Sequence, residues 1–277
     1  MPLTPTADIV GPAAAAGKGV GAFNVIQLEH AEALVAGAER AGAPVILQIS
    51  ENAVRYHGAL EPIGLATLAV ARASTAPTAV HLDHATDLSL VRQAVQLGFG
   101  SVMYDASTMS YEDNVRSTAD VVRECRAAGV YVEAELGEVG GKDGVHAPGA
   151  RTDPAEALSY VDSTGVDALA VAVGTSHAML TRDASVDFEL ITKLRDALPV
   201  PLVLHGSSGV PDADLTRSVH AGMTKVNIAT HLNKAFTLAV RDYLAANPEV
   251  VDTRKYLRPG RDAVAAEVAR LLDVLDA

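Results

Sequence analysis

Three histidines in this chain each stand where a β-strand should end, flanked by small or acidic residues. They are His84 in Val80-His-Leu-Asp-His84, His177 in Val173-Gly-Thr-Ser-His177 and His205 in Leu202-Val-Leu-His-Gly206. Positions so distant in the chain converge only if their strands lie side by side. Three protein ligands that leave a fourth position open are the arrangement of a catalytic metal site, and imidazole donors favour zinc over magnesium. A lone strand-end histidine is more often a satisfied loop residue; three of them, one beside an aspartate, reverse that expectation. Asp83, next to His84, can orient a reacting hydroxyl and exchange a proton with it. Its plainer role would be to cap the following helix, which Asp87 can do instead. Glu135 has three even readings: a further metal ligand, a carboxylate orienting a ligand, or a buried partner of an arginine. His81 faces the same way as Asp83 by strand alternation and lies one step deeper.

Two strand-end corners, the first of them glycine-bearing, point to an anion. Gly206-Ser-Ser-Gly209 and Asn227-Ile-Ala-Thr230 follow consecutive strand candidates late in the chain. Backbone N–H groups freed by glycine, with the hydroxyls of Ser207 and Thr230, can cradle a phosphate. A metal that polarises a carbonyl, an acid/base and a phosphate cradle together make aldol chemistry feasible. The usual alternative is a lysine Schiff base. Lys18, Lys142, Lys193, Lys225, Lys234 and Lys255 are the lysines, and none is expected at the C-terminal end of a strand; Lys225 reads as opening strand eight at the bottom.

The elements that must position these residues are legible as alternating periodicities. β-branched runs at Gly19–Val25, Pro44–Ser50, Ala79–Asp83, Ser101–Asp105, Val130–Leu136, Ala168–Gly174, Pro201–Gly206 and Lys225–Ala229 read as strands. Amphipathic stretches between them read as helices: Leu28–Arg40, Pro62–Ser74, Leu88–Leu97, Tyr111–Ala127, Pro154–Ser163, Phe188–Ala197 and Pro211–His220. Asn233–Ala246 and Arg261–Leu275 close the chain. Gly98, Gly129, Gly165 and Gly222 fall just past helix ends. Eight such units predict a single (β/α)8 TIM barrel over residues 1–277 with an extra C-terminal helix, and the strand tops are then the active face. The glycine-rich stretch 137–149 reads as a lid after strand five.

Composition bounds the function. The 277 residues are 49% hydrophobic with a net charge of −12, which argues against a nucleic-acid partner but not against a small phosphorylated substrate. One cysteine, Cys125, removes any disulfide framework and suggests a cytoplasmic location. The N-terminus lacks a signal-peptide pattern, and no run suffices to span a membrane.

Taken together, Gly21-Ala-Phe-Asn24, Pro44-Val-Ile-Leu-Gln48, His81-Leu-Asp-His84, Glu133-Ala-Glu-Leu-Gly137, Gly174-Thr-Ser-His177, Leu204-His-Gly-Ser-Ser-Gly209, Lys225-Val-Asn-Ile-Ala-Thr230 and Tyr256-Leu-Arg258 resemble the class II, zinc-dependent ketose-bisphosphate aldolases of fructose and tagatose type. The resemblance runs from about Gly21 to Asp262. It implies that His84, His177 and His205 bind catalytic Zn²⁺, with Glu135 as a ligand in an alternative, buried metal position. It implies that Asp83 is the acid/base on the C4 hydroxyl and that Asn227 holds the dihydroxyacetone-phosphate portion. Gly206, Ser207 and Thr230 would hold the phosphate, with a monovalent cation such as Na⁺ or K⁺. Asn24, Ser50 and Ala178 join the substrate-binding set. Arg258 would reach a neighbouring subunit's site, making a homodimer or homotetramer functional.

Three departures mark this chain. Ala178 replaces the family's usual glycine, the lid looks short with Asp143 nearest to the family's lid acid, and Ala229 is closer to the tagatose type. Rival expectations are action on another phosphorylated sugar, a metal-dependent barrel epimerase or hydrolase, and a non-catalytic aldolase relative.

Overall fold

The computed structural model describes residues 3–136, 151–177 and 179–276. Eight parallel strands close into a barrel in chain order: β1 (Val20–Asn24), β2 (Val45–Ser50), β3 (Thr78–Ala85), β4 (Ser101–Tyr104), β5 (Tyr131–Glu135), β6 (Ala168–Ala170), β7 (Leu202–Leu204) and β8 (Met223–Ile228). Closure rests on β1, which pairs with β2 on one side and with β8 on the other, where Val20 meets Lys225 and Ala22 meets Asn227. This is the (β/α)8 architecture expected from the alternating pattern.

Helices cover the outside. They are α1 (Thr6–Ala16), α2 (Leu28–Ala41), α3 (Glu51–His57), α4 (Leu60–Ala73), α5 (Leu88–Leu97), α6 (Tyr111–Ala127), α7 (Pro154–Thr164), α8 (Phe188–Ala197), α9 (Asp212–Ala221), α10 (Thr230–Ala246) and α11 (Thr253–Asp276). Local chemistry starts several of them. Asp153 accepts from the N–H groups of Ala155 and Glu156 ahead of Pro154, and Asp87 accepts from Ser89 N–H. The main core lies between sheet and helices, where outward strand residues such as Phe23, Leu47 and Leu82 meet the inner faces of the helices.

Inside the barrel the packing is different. Two small apolar clusters fill it: Val20, Ala22, Ile46 and Ala79 with Ile9 and Val10 of α1, and Met103, Ala168, Ala170 and Val203. Above them the inward positions turn polar, with Gln48, His81, Glu133 and Lys225 all buried. TIM barrels are normally filled here by branched aliphatics.

Several boundaries differ from the sequence expectation. α1 is absent from it; the helix runs through Pro12 and packs under the barrel floor. α3 follows β2 directly, capped by the Ser50 hydroxyl. α11 begins at Thr253 rather than at Arg261 and continues through Pro259. Lys225 is the third residue of β8, not its opening residue, so its side chain lies within the barrel. No helix among the described residues is long and apolar enough to cross a membrane.

Candidate active site

Asp83 and His84 are consecutive on β3, so an undistorted strand would send them to opposite faces. Asp83 pairs in register with Ser50. Beyond Leu82 the β3–β4 register shifts, and His84 takes φ +50°, the one positive φ outside glycine among the described residues. A left-handed histidine is strained by roughly 1–3 kcal/mol and is held only when its surroundings require it. Here the kink brings both side chains to the pocket that Asn24, Ser50, His177, Gly206, Asn227 and Thr230 also line, a cavity of ≈ 160 Å³ at the strand tops.

One donor atom from each of His84, His177 and His205 lies within 4.8 Å of the others. His84 Nδ1–H donates to Asp105 Oδ2 (2.9 Å), and Asp105 is fixed in turn by the Ser107 hydroxyl (2.6 Å). His205 Nε2–H donates to Glu133 Oε1 (2.9 Å). Each carboxylate therefore takes one ring proton, and the remaining nitrogens, His84 Nε2 and His205 Nδ1, face each other at 2.9 Å. At that distance the two nitrogens can share an N–H···N hydrogen bond, and a cation held by both would also account for the approach. Burial, followed by the charges of His84, Lys225 and His177, holds His205 well below the usual histidine pKa. The neutral form so favoured is the one that can ligate a metal. The residues present fit a divalent metal. Asp105 and Glu135 form a second donor group with His84.

Beside the cluster, Gln48 Nε2–H donates to Asn24 Oδ1 (2.8 Å) and Asn24 Nδ2–H to Asp83 Oδ2 (3.1 Å). Asp83 Oδ1 is buried without a hydrogen-bond partner among the described residues. Burial pushes the Asp83 carboxyl up. The charges of His84, His205 and Lys225 and the Asn24 hydrogen bond outweigh it and hold the group below its ordinary range. The result is a carboxylate with one oxygen anchored and one on offer.

The β7 corner is built on Gly206 at φ +68°, where a Cβ would meet the Ser176 carbonyl at 2.6 Å. Only glycine lets the two loops approach so closely. The 3₁₀ turn Ser207–Gly209 follows. The hydroxyl expected to face a phosphate, that of Ser207, instead donates to Leu204 O (2.9 Å) and is 1% exposed. The corner's αL start turns it inward. Ser208 lines the pocket in its place, accepting from Ala229 N–H and His231 N–H.

Arg258 does not reach this pocket; it is exposed on the α10–α11 hairpin, in a separate hollow with Tyr243 and Asp252. Asp143 and Ala178 lie outside the described residues. Asp105, Glu133, Gln48 and Ser208 received no role from sequence, and Lys225 was weighed only as a Schiff-base lysine and set aside. Asp105 and Glu133 carried a signal, since acidic residues near strand ends can take a ligand histidine's second proton.

A closed βα barrel with a histidine cluster, an anchored carboxylate and a glycine-built corner at its strand tops defines the metal-site class of (β/α)8 enzymes. Comparison with known proteins specifies it further. The family model described as fructose-bisphosphate aldolase class-II matches residues 4–277, and the chain belongs to that family. It is 43% identical over 253 residues to a fructose-bisphosphate aldolase of Geobacillus stearothermophilus, covering 90% of this chain and 88% of the relative. Among solved structures, the YdjI aldolase of Escherichia coli K12 superposes with a TM-score of 0.87 at 31% identity, covering 99% of this chain and 97% of that one. Fructose-bisphosphate aldolase of Campylobacter jejuni shares the fold, with a TM-score of 0.78 at 24% identity, over 97% of this chain and 93% of its own. Family membership makes the chain an aldolase, a carbon–carbon lyase.

Proposed function

We propose that this aldolase is zinc-dependent and cleaves a ketose 1,6-bisphosphate of fructose or tagatose type to dihydroxyacetone phosphate and glyceraldehyde 3-phosphate. The observation that carries the reading is the unpartnered Asp83 Oδ1 in the pocket that His84 and His177 line, with His205 completing their cluster beneath it. The Geobacillus relative's name supports fructose bisphosphate as the first substrate to test. Zinc held by His84, His177 and His205 would supply Lewis-acid polarisation of the ketose carbonyl.

The chain's own residues do the rest. Asp83 Oδ1 takes the C4 hydroxyl proton as the C4–O bond becomes an aldehyde, and the C3–C4 electron pair passes into the enediolate of the three-carbon ketone. Asn24 keeps Asp83 aimed while this happens. C3 then takes a proton, for which Asp143, outside the described residues, is the sequence's candidate donor. Gly206, Ser208 and Thr230 line the side of the pocket where the ketone's phosphate, with a monovalent cation, would rest. Lys225 lies 2.8 Å from Glu133, 1% exposed, which leaves a Schiff-base route without an accessible amine there.

Arg258, exposed on the hairpin, fits service to a neighbouring copy in a homodimer or homotetramer. Cys125 is a buried free thiol, which fits a cytoplasmic setting.

A retro-aldol assay over a panel of ketose mono- and bisphosphates, with metal content measured in parallel, tests the reading. Two trioses from a bisphosphate, lost on chelation and regained with zinc, are expected. Inversion or water addition, or no turnover of any sugar by fully metallated protein, overturns it.

A further inference from the structure

Glu133, Lys225 and His205 are all but fully enclosed, at 0%, 1% and 0% exposure. Glu133 rises from β5 and Lys225 from β8, strands that are not neighbours, so their ion pair crosses the barrel interior. Lys225 Nζ stands 2.8 Å from Glu133 Oε2, off the hydrogen-bond direction, and neither atom has another partner among the described residues. Stability alone does not explain such a pair. Two buried charges cost much of what their attraction returns, and an apolar pair of similar volume is often as stable or more so. Branched aliphatics would be the ordinary filling at this level.

Geometry supplies the reason. Glu133 has its Oε2 beside Lys225 and its Oε1 on the Nε2–H of His205 (2.9 Å), the nitrogen that the Asn227 side-chain amide also approaches, at 3.1 Å. An imidazole has two tautomers and can turn over about its Cβ–Cγ bond; an acceptor fixed on Nε2 selects one state, with the Nδ1 lone pair toward His84. Lys225 does not touch the cluster. It acts through Glu133.

We infer that Lys225 and Glu133 are a positioning pair that orients His205 and thereby sets the affinity of the histidine cluster for a divalent cation. This rests on the metal-binding reading above. It adds a function for residues whose apolar replacement the fold would tolerate.

The probe is Co²⁺, with its visible ligand-field bands and its Kd from chelator competition, measured alongside the melting temperature of the metal-free protein. The double variant Glu133→Leu/Lys225→Met should fold with a metal-free melting temperature at or above that of the wild type. It should bind Co²⁺ 10–100-fold more weakly, with altered bands. A purely structural pair predicts the reverse: lowered stability and unchanged affinity. If the double variant does not fold, Lys225→Arg and Glu133→Asp carry the test. The arginine keeps a cation beside Glu133 and should retain near wild-type affinity. The aspartate withdraws the acceptor from His205 by one methylene and should weaken binding. Equal affinity in both overturns the inference. Wild-type protein that binds no Co²⁺ overturns the metal reading and this inference together, whereas equal binding by wild type and a folded double variant overturns this inference alone.

Discussion

At the scale of single residues, the site turns on a conflict that β3 resolves. A strand cannot point two successive side chains inward, yet the chemistry needs both Asp83 and His84. The register shift and the left-handed His84 reconcile them at an energetic cost that strand pairing sustains. Asp83 itself touches no metal-ligating atom in any hydrogen bond; its anchored oxygen belongs to Asn24. Asp83→Ala is therefore expected to keep stoichiometric metal and lose roughly 10²–10⁴-fold in kcat. Steady-state kinetics with metal analysis checks this; wild-type turnover would remove Asp83 from the reaction. Both residues were legible in the sequence as candidates from residue type and position. The kink was not, because nothing in His-Leu-Asp-His announces a register shift set by pairing with β4.

At the scale of elements, corners and helix contacts decide what the pocket presents. Gly206 lets the β7 corner pass the Ser176 carbonyl, one residue before His177 of the histidine cluster. Gly206→Ala should cost about 1–3 kcal/mol through left-handed strain and this collision, and should lower metal content as the His177 loop shifts. Urea unfolding and metal analysis of the same preparation measure both. A charged chain behind the pocket secures α10 to α11. His231 Nε2–H donates to Glu267 Oε1 (2.6 Å), Arg270 pairs with both Glu267 and Asp212, and Arg182 joins Asp212 (2.7 Å). Burial pushes the Glu267 carboxyl up, but hydrogen bonds from His231 and Arg270 outweigh it and hold it at about 2 against an ordinary 4.5. A depressed carboxylate stabilises the fold above its unfolded pKa, and that contribution is lost as pH falls from about 4.5 toward 2. Glu267→Gln should cost about 1 kcal/mol at pH 7, allowing for its partial solvent exposure. The difference from wild type should shrink as pH falls through this window. A gap that stays constant from pH 7 to pH 2.5 would contradict the assignment.

At the scale of the whole molecule, the barrel brings residues from β3, β7 and the loop after β6 to one point. A ligand bound there should stabilise the entire fold by mass action. With free zinc a hundredfold above its Kd, the gain is roughly 2.7 kcal/mol, or about 5–10 °C in melting temperature for a domain of this size. Calorimetry of chelator-stripped protein with and without zinc reads it, and no shift would mean that the cluster does not bind the ion. α1 closes the opposite end: Ile9 and Val10 seal the floor, and the Thr6 hydroxyl donates to Ser101, which also meets His81 Nδ1 (2.8 Å).

The sequence by itself determined the architecture and the cast of the site. Strand and helix periodicities are local properties, so eight βα units could be counted. His84, His205, Asp83, Asn24, Asn227 and Thr230 sit at or next to strand or helix ends, where punctuation is also local; His177, expected at a strand end, lies in the loop seven residues beyond β6. Tertiary structure decided what depends on crossing the barrel or on backbone direction. It turned Ser207 away and Ser208 toward the pocket, because a left-handed glycine set the corner. It ran α1 through Pro12, because the barrel floor rewards its apolar side chains. It moved Lys225 from a supposed strand start to a partner of Glu133, because a contact between β5 and β8 exists only after the sheet has closed.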